Sequence, residues 1–132
     1  MLTTALLHRS RAYIERHFIK SFEKKYKKHW DTTREAIVES LGRIDMLVTT
    51  SRAETIYTGV DFKIVKVYFR VDGTKESSKT SGNRCIVAWY PEKRLVSALL
   101  VYGKTDLSGS SETSEWQQLI CENYPQYSHL FQ

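Results

Sequence analysis

The sequence contains little cysteine and no long apolar run. Its two cysteines, Cys85 and Cys121, lie far apart and form no CxxC pair. We therefore expect reduced thiols in a cytoplasmic protein and no disulfide framework. No apolar stretch approaches the roughly 20 residues that a membrane-spanning helix requires. The apolar stretch at the N-terminus is short and its basic residues follow it, so it does not fit a secretory signal.

Common catalytic patterns are also missing. No serine lies in a GxSxG turn, and the SGN tripeptide at residues 81–83 is not a P-loop. We expect no metal and no cofactor, because the histidines show no metal-ligand spacing. Glu112 and Glu115 are spaced as a carboxylate pair or as the first turn of a helix, where acidic side chains suit the helix dipole, and we favour the helix. The histidines are His8, His17, His29 and His129.

Positive charge is unevenly distributed. The net charge is +5, yet no Lys or Arg follows Lys104, whereas Asp106, Glu112, Glu115 and Glu122 do. The chain is therefore basic up to Lys104 and acidic after it. This balance favours an acidic partner, such as a nucleic acid.

The N-terminal third predicts two helices. Aromatic residues recur at every fourth position from Phe18 to Trp30 and lysines fill the other faces, which indicates an amphipathic helix with a basic outer side. Residues 31–33 should break this helix, because Thr32 followed by Glu35 fits a capping box. The two helices would then form an antiparallel hairpin. The apolar stripe of the second helix is Ile37, Leu41, Ile44 and Val48.

The remainder predicts strands and a last helix. Apolar alternation indicates a strand near residues 65–71, and β-rich runs indicate strands at residues 84–90 and 95–102, joined by a tight turn at residues 91–94. Residues 49–60 and 72–83 read as loops, residues 11–17 as either strand or helix, and residues 112–124 as a helix ended by Pro125. We expect one α+β domain over residues 1–132. It would hold a small twisted antiparallel sheet of three or four strands packed against the helical hairpin, with the C-terminal helix.

Basic and phenolic side chains should gather at one end of this sheet. In an antiparallel meander, the end of the first strand lies beside the start of the second and the end of the third. Arginine grips phosphate with a planar fork and lysine acts as a point charge, so such an end suits a phosphate backbone. The residues concerned are Lys66, Arg70, Arg84, Tyr102 and Lys104, with Lys75 and Lys79 on the loop above.

The order of these elements resembles the RelE/ParE superfamily of bacterial toxins, and specifically its RelE-like branch of ribosome-dependent mRNA endonucleases. The resemblance is carried by RHFIKSFEKKYKKHW, by a strand containing Lys63 and Lys66, by the KTSGNR turn at residues 79–84, and by a hydrophobic strand that ends in Tyr102-Gly103-Lys104. It spans roughly residues 11–121 and favours a strand at residues 11–17. The resemblance implies a RelE-like fold.

The resemblance also implies a chemistry that needs no metal. Such toxins orient a ribose 2′-OH in line with the adjacent phosphodiester in the ribosomal A site, and transesterification leaves a cyclic phosphate. By position, Arg84 would clamp the phosphate, Lys104 would be a second cation or the leaving-group acid, and Tyr102 would orient or stack on a base. Lys63 and Lys66 differ in strand parity, so only one of them can face the site as the base or backbone contact. Lys66 is preferred because it shares a face with Tyr68 and Arg70. The expected RNA-binding residues are Lys63, Arg70, Lys75 and Lys79.

Three functions remain open on the sequence. The first is a type II toxin that cleaves mRNA on the ribosome and is held inactive by a cognate antitoxin. The second is a ParE-like toxin that poisons DNA gyrase, since branches of the superfamily differ in target. The third is a basic RNA-binding module without catalysis. The sequence does not distinguish the codon preference or the identity of the general acid and base.

Overall fold

The computed structural model describes residues 4–6, 18–75, 77–78, 80–103, 106–107 and 111–131. Five strands and four α-helices are described in these ranges, followed by a 3-10 turn, Pro125–Tyr127. The predicted strand at residues 11–17 lies outside the described residues. In chain order the elements are β1 (Thr4–Leu6), α1 (Lys20–Tyr26), α2 (Lys28–Leu41), α3 (Ile44–Leu47), β2 (Ala53–Thr58), β3 (Lys63–Phe69), β4 (Asn83–Tyr90), β5 (Leu95–Tyr102) and α4 (Glu112–Asn123).

The strands form a single sheet in the order β1-β5-β4-β3-β2. Strands β2 to β5 are an antiparallel meander, and β1 adds in parallel to the outer edge of β5. The predicted α+β class, with helices, an antiparallel sheet and a C-terminal helix, is confirmed. The predicted sheet of three or four strands becomes five because β1 and β2 extend it at its two edges.

Helices cover both faces of the sheet. On one face, which we call the N-terminal helix face, Val65, Val67 and Val87 pack against side chains of α1 to α3 such as Trp30 and Leu41. On the other, the α4 face, Ile64, Ile86 and Leu100 pack against Trp116 and Ile120 of α4. A strand buried on both sides needs apolar residues at odd and even positions. This is why β4 reads CIVAW without alternation.

Residues 49–60 are not the predicted loop, because Ala53–Thr58 is strand β2. It lies at the edge of the sheet and pairs with β3 from Ala53↔Val67 to Thr58↔Lys63. Most of its side chains are at least partly exposed, so it lacks the apolar alternation of the inner strands. Thr, Ile and Tyr favour strands, but the pairing with β3 decides the outcome.

The predicted helix break at residues 31–33 is also wrong. Helix α2 runs without interruption from Lys28 to Leu41, and the chain bends one turn earlier, at Lys27, whose φ is 52°. Thr33 is buried within α2, where its Oγ1 donates to the His29 carbonyl oxygen at 2.7 Å and accepts from the Asp72 amide at 2.7 Å. Thr33 therefore joins the helix to the β3–β4 connection instead of starting a helix.

The turn between β4 and β5 and the C-terminal helix are confirmed, but the second helix is shorter than its predicted apolar stripe, because α2 ends at Leu41 and Ile44–Leu47 forms the separate helix α3. Pro91–Arg94 is the tight turn between β4 and β5, and α4 ends at Asn123 before Pro125. Cys85 is buried, Cys121 is partly buried, and both are free thiols. No helix in the described ranges is long and apolar enough to cross a membrane.

Candidate functional site

The strand register brings three of the polar side chains into a row. Tyr68 of β3 lies opposite Arg84 of β4, and Arg84 lies opposite Tyr102 of β5. Residues directly opposite each other point to the same face of a sheet. Tyr102 packs in the α4-face core, so the row lies on that face. It stands at the end of the sheet where β3 and β5 finish and β4 begins.

The turn before β4 fixes the position of Arg84. Gly82 has a φ of 79°, which a side chain would disfavour. The buried Ser81 hydroxyl lies 2.6 Å from the Phe69 carbonyl oxygen and 2.8 Å from the Ser78 carbonyl oxygen, and it accepts from the Asn83 amide at 3.1 Å. These contacts tie the SGN tripeptide to the end of β3. The tripeptide therefore acts as a rigid corner that sets the start of β4.

Lys66 joins the same face and is bound by a carboxylate from α4. It lies opposite Ile86, a residue of the α4-face core. Its Nζ is 3.0 Å from Glu112 Oε2, and the Lys66 side chain is only 12% exposed. The Tyr102 hydroxyl donates to the same Oε2 at 2.8 Å. Glu112 thus connects β3 and β5 through one oxygen atom.

The Arg84 side chain stacks on the ring of its neighbour in the row, Tyr68. Its guanidinium carbon lies 4.4 Å from the ring centroid of Tyr68, within cation–π range. One of its terminal nitrogens donates to the Asn83 carbonyl oxygen at 3.1 Å. Tyr68 in turn donates to Glu54 Oε2 of β2 at 3.2 Å. We call Lys66, Tyr68, Arg84, Tyr102 and Glu112 the α4-face cluster.

The surroundings of the cluster lower the pKa of its carboxylate and raise the pKa values of its two phenols. Burial raises the pKa of Glu112, but the hydrogen bonds from Lys66 and Tyr102 and the charges of Lys66 and Arg84 outweigh it, so the pKa is below its ordinary value. Burial, then the hydrogen bond to Glu112, raises the pKa of Tyr102 well above its ordinary value. Burial and the bond to Glu54 raise the pKa of Tyr68. The carboxylate therefore stays ionised and both phenols stay neutral near pH 7.

The other predicted site residues are not all in this cluster. Lys63 lies opposite Trp89 on the N-terminal helix face, with Nζ 5.4 Å from that indole centroid. Arg70 follows the end of β3 and lines a cavity of about 410 Å³ beside α2, together with Arg52. Lys75 is exposed in the β3–β4 connection.

Two predicted positions, Lys79 and Lys104, lie outside the described residues. Of the four predicted catalytic residues, Lys66, Arg84 and Tyr102 are thus brought together on one face of the sheet.

Sequence reasoning missed the acidic members of this region. Glu112 was assigned to the first turn of a helix, which it occupies, but it is also the counter-ion of Lys66. Its position one residue after the cap Ser111 was readable from the sequence, whereas the placement of α4 over β3 and β5 was not. Glu54 was missed because β2 was read as a loop.

Comparisons with protein-family models, with curated proteins and with solved structures find no match to this chain. Within the described residues, no group of three or more His, Cys, Asp or Glu side chains could hold a metal ion. The function must therefore be argued from the cluster itself.

The cluster carries charges that suit a phosphodiester. Lys66 and Arg84 lie on the same face of the sheet and both act on the charge of Glu112; arginine binds phosphate with a planar fork and lysine with a point charge. The two neutral phenols already donate to Glu112 and Glu54, and the Glu112 carboxylate can accept a proton. Such a set suits reactions in which negative charge grows on phosphate oxygens.

Proposed function

We propose that this chain is the toxin of a type II toxin–antitoxin system, a ribosome-dependent endoribonuclease that cleaves mRNA by metal-independent transesterification. The observation that carries the proposal is the row Tyr68–Arg84–Tyr102 beside Lys66, which converges from three strands onto one end of the α4 face. In the proposed reaction the ribose 2′-OH attacks the adjacent phosphorus, and the products are a 2′,3′-cyclic phosphate and a free 5′-OH.

The charges of the cluster support this reaction. Cleavage requires stabilisation of the extra negative charge on a phosphorane-like transition state, and prearranged cations provide it without reorganisation. Arg84 is held by its stacking on Tyr68 and by its bond to the Asn83 carbonyl oxygen. Tyr102 is fully buried and its hydroxyl donates to Glu112, so it cannot orient or stack on a base as the resemblance implied. We assign Arg84 as the phosphate clamp, Tyr102 as the residue that holds Glu112, Lys66 as a second cation, and Lys104 as a further cation or the leaving-group acid.

The basic outer side of α1 supports a ribosomal target. Five lysines on α1 and the start of α2 are exposed, on the side away from the core residues Phe22 and Trp30. Contacts of this type bind phosphates without sequence preference and weaken with salt. They would hold the protein on ribosomal RNA while the cluster acts on the message. The lysines are Lys20, Lys24, Lys25, Lys27 and Lys28.

The direct test is single-turnover cleavage of a message on a programmed ribosome, with the product ends analysed. We expect cleavage that leaves a 2′,3′-cyclic phosphate end. The same message with a 2′-deoxy nucleotide at the cut position is the matched control and should stay intact. Cleavage of this deoxy message would exclude attack by the 2′-OH.

Two further outcomes identify the alternatives. If the chain binds ribosomes but leaves the message intact, it is a basic RNA-binding module. When the chain is expressed alone in a bacterium, amino-acid incorporation should fall before DNA synthesis does. The reverse order would identify a gyrase-poisoning toxin.

A further inference from the structure

Glu112 is the one carboxylate among the cluster residues, and its two oxygens are in different situations. Oε2 is held by Lys66 Nζ at 3.0 Å and by the Tyr102 hydroxyl at 2.8 Å. Among the described residues, no hydrogen bond or ion pair is found at Oε1, and the side chain is 38% exposed. One oxygen therefore fixes the group, and the other keeps its lone pairs for a ligand.

We propose that Glu112 is the general base of the reaction, and that its Oε1 accepts the proton of the ribose 2′-OH while Oε2 stays bound to Lys66 and Tyr102. This inference rests on the proposed function and names the residue that activates its nucleophile. It replaces Lys66, which the sequence favoured as the base.

The contacts of the cluster argue against each other candidate. The Lys66 ammonium forms an ion pair with Glu112, and an ammonium has no lone pair with which to accept a proton. The guanidinium of Arg84 is a donor only and has no acceptor site for a proton. Tyr68 and Tyr102 are neutral donors, because burial and their carboxylate partners raise their pKa values. Glu112 is thus the one group of the cluster that is ionised and able to accept a proton at neutral pH.

The groups that face Glu112 also tune its basicity. They are Lys66 and Tyr68 from β3, Arg84 from β4 and Tyr102 from β5. In the free protein, the two cations lower the pKa of Glu112 and make it a weak base. A substrate phosphate bound to Lys66 and Arg84 would offset their charge, so the pKa of Glu112 would rise toward the working pH. General bases work best when these two values are close.

The chemical step balances without a metal or a redox partner. The 2′-oxygen forms a bond to phosphorus as its proton passes to Glu112 Oε1. The bond from phosphorus to the 5′ oxygen breaks, its electron pair goes to that oxygen, and the oxygen takes a proton from solvent. Glu112 then releases its proton to solvent, and the cluster returns to its starting state.

The test compares Glu112→Gln with wild type in single-turnover cleavage on programmed ribosomes, with binding measured separately on the 2′-deoxy message. We expect cleavage to fall by about 10²–10⁴-fold, the usual contribution of a general base. Binding should hold or tighten, because a negative charge near the phosphate is removed. Glu115→Gln, one turn along α4 and outside the cluster, is the matched control and should cleave at the wild-type rate.

A pH profile separates a base from a group that only positions Lys66. Wild-type cleavage should be independent of pH above the titration of Glu112, whereas the Glu112→Gln rate should rise about tenfold per pH unit as hydroxide replaces the base. Glu112→Asp keeps the carboxylate but shortens it, and should retain the wild-type profile at a lower rate. This variant also serves if the glutamine variant does not fold.

The possible results are distinct. If wild type cleaves and a folded Glu112→Gln cleaves as fast or faster, Glu112 is a counter-ion and the inference is wrong, while the proposed function stands. If Glu112→Gln is slow but keeps the wild-type pH profile, Glu112 only positions the cations and the inference is again wrong. If wild type does not cleave, the proposed function and this inference fail together.

Discussion

The two faces of the sheet differ in what they bury. The N-terminal helix face is closed by apolar side chains along the length of the strands, from Trp89 and Val96 to Val67 and Phe69. The α4 face begins in the same way, with Ile64, Ile86 and Leu100, but ends in the charged and phenolic row. Covering charged groups costs free energy unless they are paired. The first face is therefore apolar core throughout, whereas the second combines a core with the polar cluster that we propose as the active site.

The largest effect after that of Glu112→Gln should come from Arg84→Ala. Removal of a fixed charge that stabilises the transition state typically lowers the rate by about 10²–10³-fold, and we expect a loss of this size in single-turnover mRNA cleavage. Lys93→Ala is the matched control. Lys93 lies in the β4–β5 turn at the opposite end of the sheet, and its loss should leave cleavage unchanged. Full activity in Arg84→Ala would place the chemistry outside the α4-face cluster.

The second effect tests the other face through stability. Leu41 is fully buried among α1, α2 and the sheet, so Leu41→Ala should lower the free energy of unfolding by about 2–5 kcal/mol. Met46→Ala is a suitable control, because Met46 is 66% exposed, and should change stability little. Urea unfolding at pH 7 measures both variants. A loss under about 1 kcal/mol at Leu41 would contradict a tightly packed core on that face.

A smaller effect is expected where a hydroxyl is removed from the cluster. Tyr102→Phe keeps the buried ring but deletes the bond to Glu112, which should cost about 0.5–1.5 kcal/mol of stability. Tyr26→Phe on the N-terminal helix face is the comparison, since no hydrogen bond of the Tyr26 hydroxyl is found among the described residues. Thermal unfolding of the two variants tests the difference. Equal losses would mean that the Tyr102–Glu112 bond contributes no net stability.

The smallest effect concerns acid stability. The pKa of Glu112 is lower in the folded protein than its ordinary value of 4.5, so its contribution is present above that pH and lost as pH falls through the folded value. Glu112→Gln should therefore lose less stability than wild type in urea unfolding as the pH falls below 4.5. Glu39→Gln, at an exposed position of α2, should follow the wild-type curve. If the stability of Glu112→Gln changed with pH in the same way as that of wild type, the ionisation of Glu112 would make no contribution to acid stability.

The features that could be predicted from the sequence are those that depend on local residue patterns and on the order of the strands. Apolar alternation located β3, β-rich runs located β4 and β5, and the meander placed Arg84 beside Tyr102, as the register confirms. The chain bend at Lys27 was not predictable, because a positive φ at lysine has no local signal. It follows from packing, since it lets Phe22 and Trp30 stack at 4.8 Å between ring centroids against the sheet.

The role of the Glu112 carboxylate could not be predicted from the sequence for a related reason. Glu112 reads as an ordinary first-turn acid, and its partner Lys66 is distant in sequence. The pairing depends on where α4 rests on the sheet, which Trp116 and Ile120 decide by burial in the α4-face core. No periodic pattern in the sequence shows where a helix packs on a sheet.

The parallel pairing of β1 with β5 has a consequence for folding. Thr4 lies beside Leu95 and Leu6 beside Ser97, so β1 cannot pair until β5, far along the chain, has been made. Closing such a long loop costs conformational entropy before any contact compensates for it, and folds rich in distant pairings form slowly. During synthesis, β4 therefore keeps an unpaired edge until β5 has emerged. The sheet, and the row of side chains on β3 to β5, can be completed only after β5 has been synthesised.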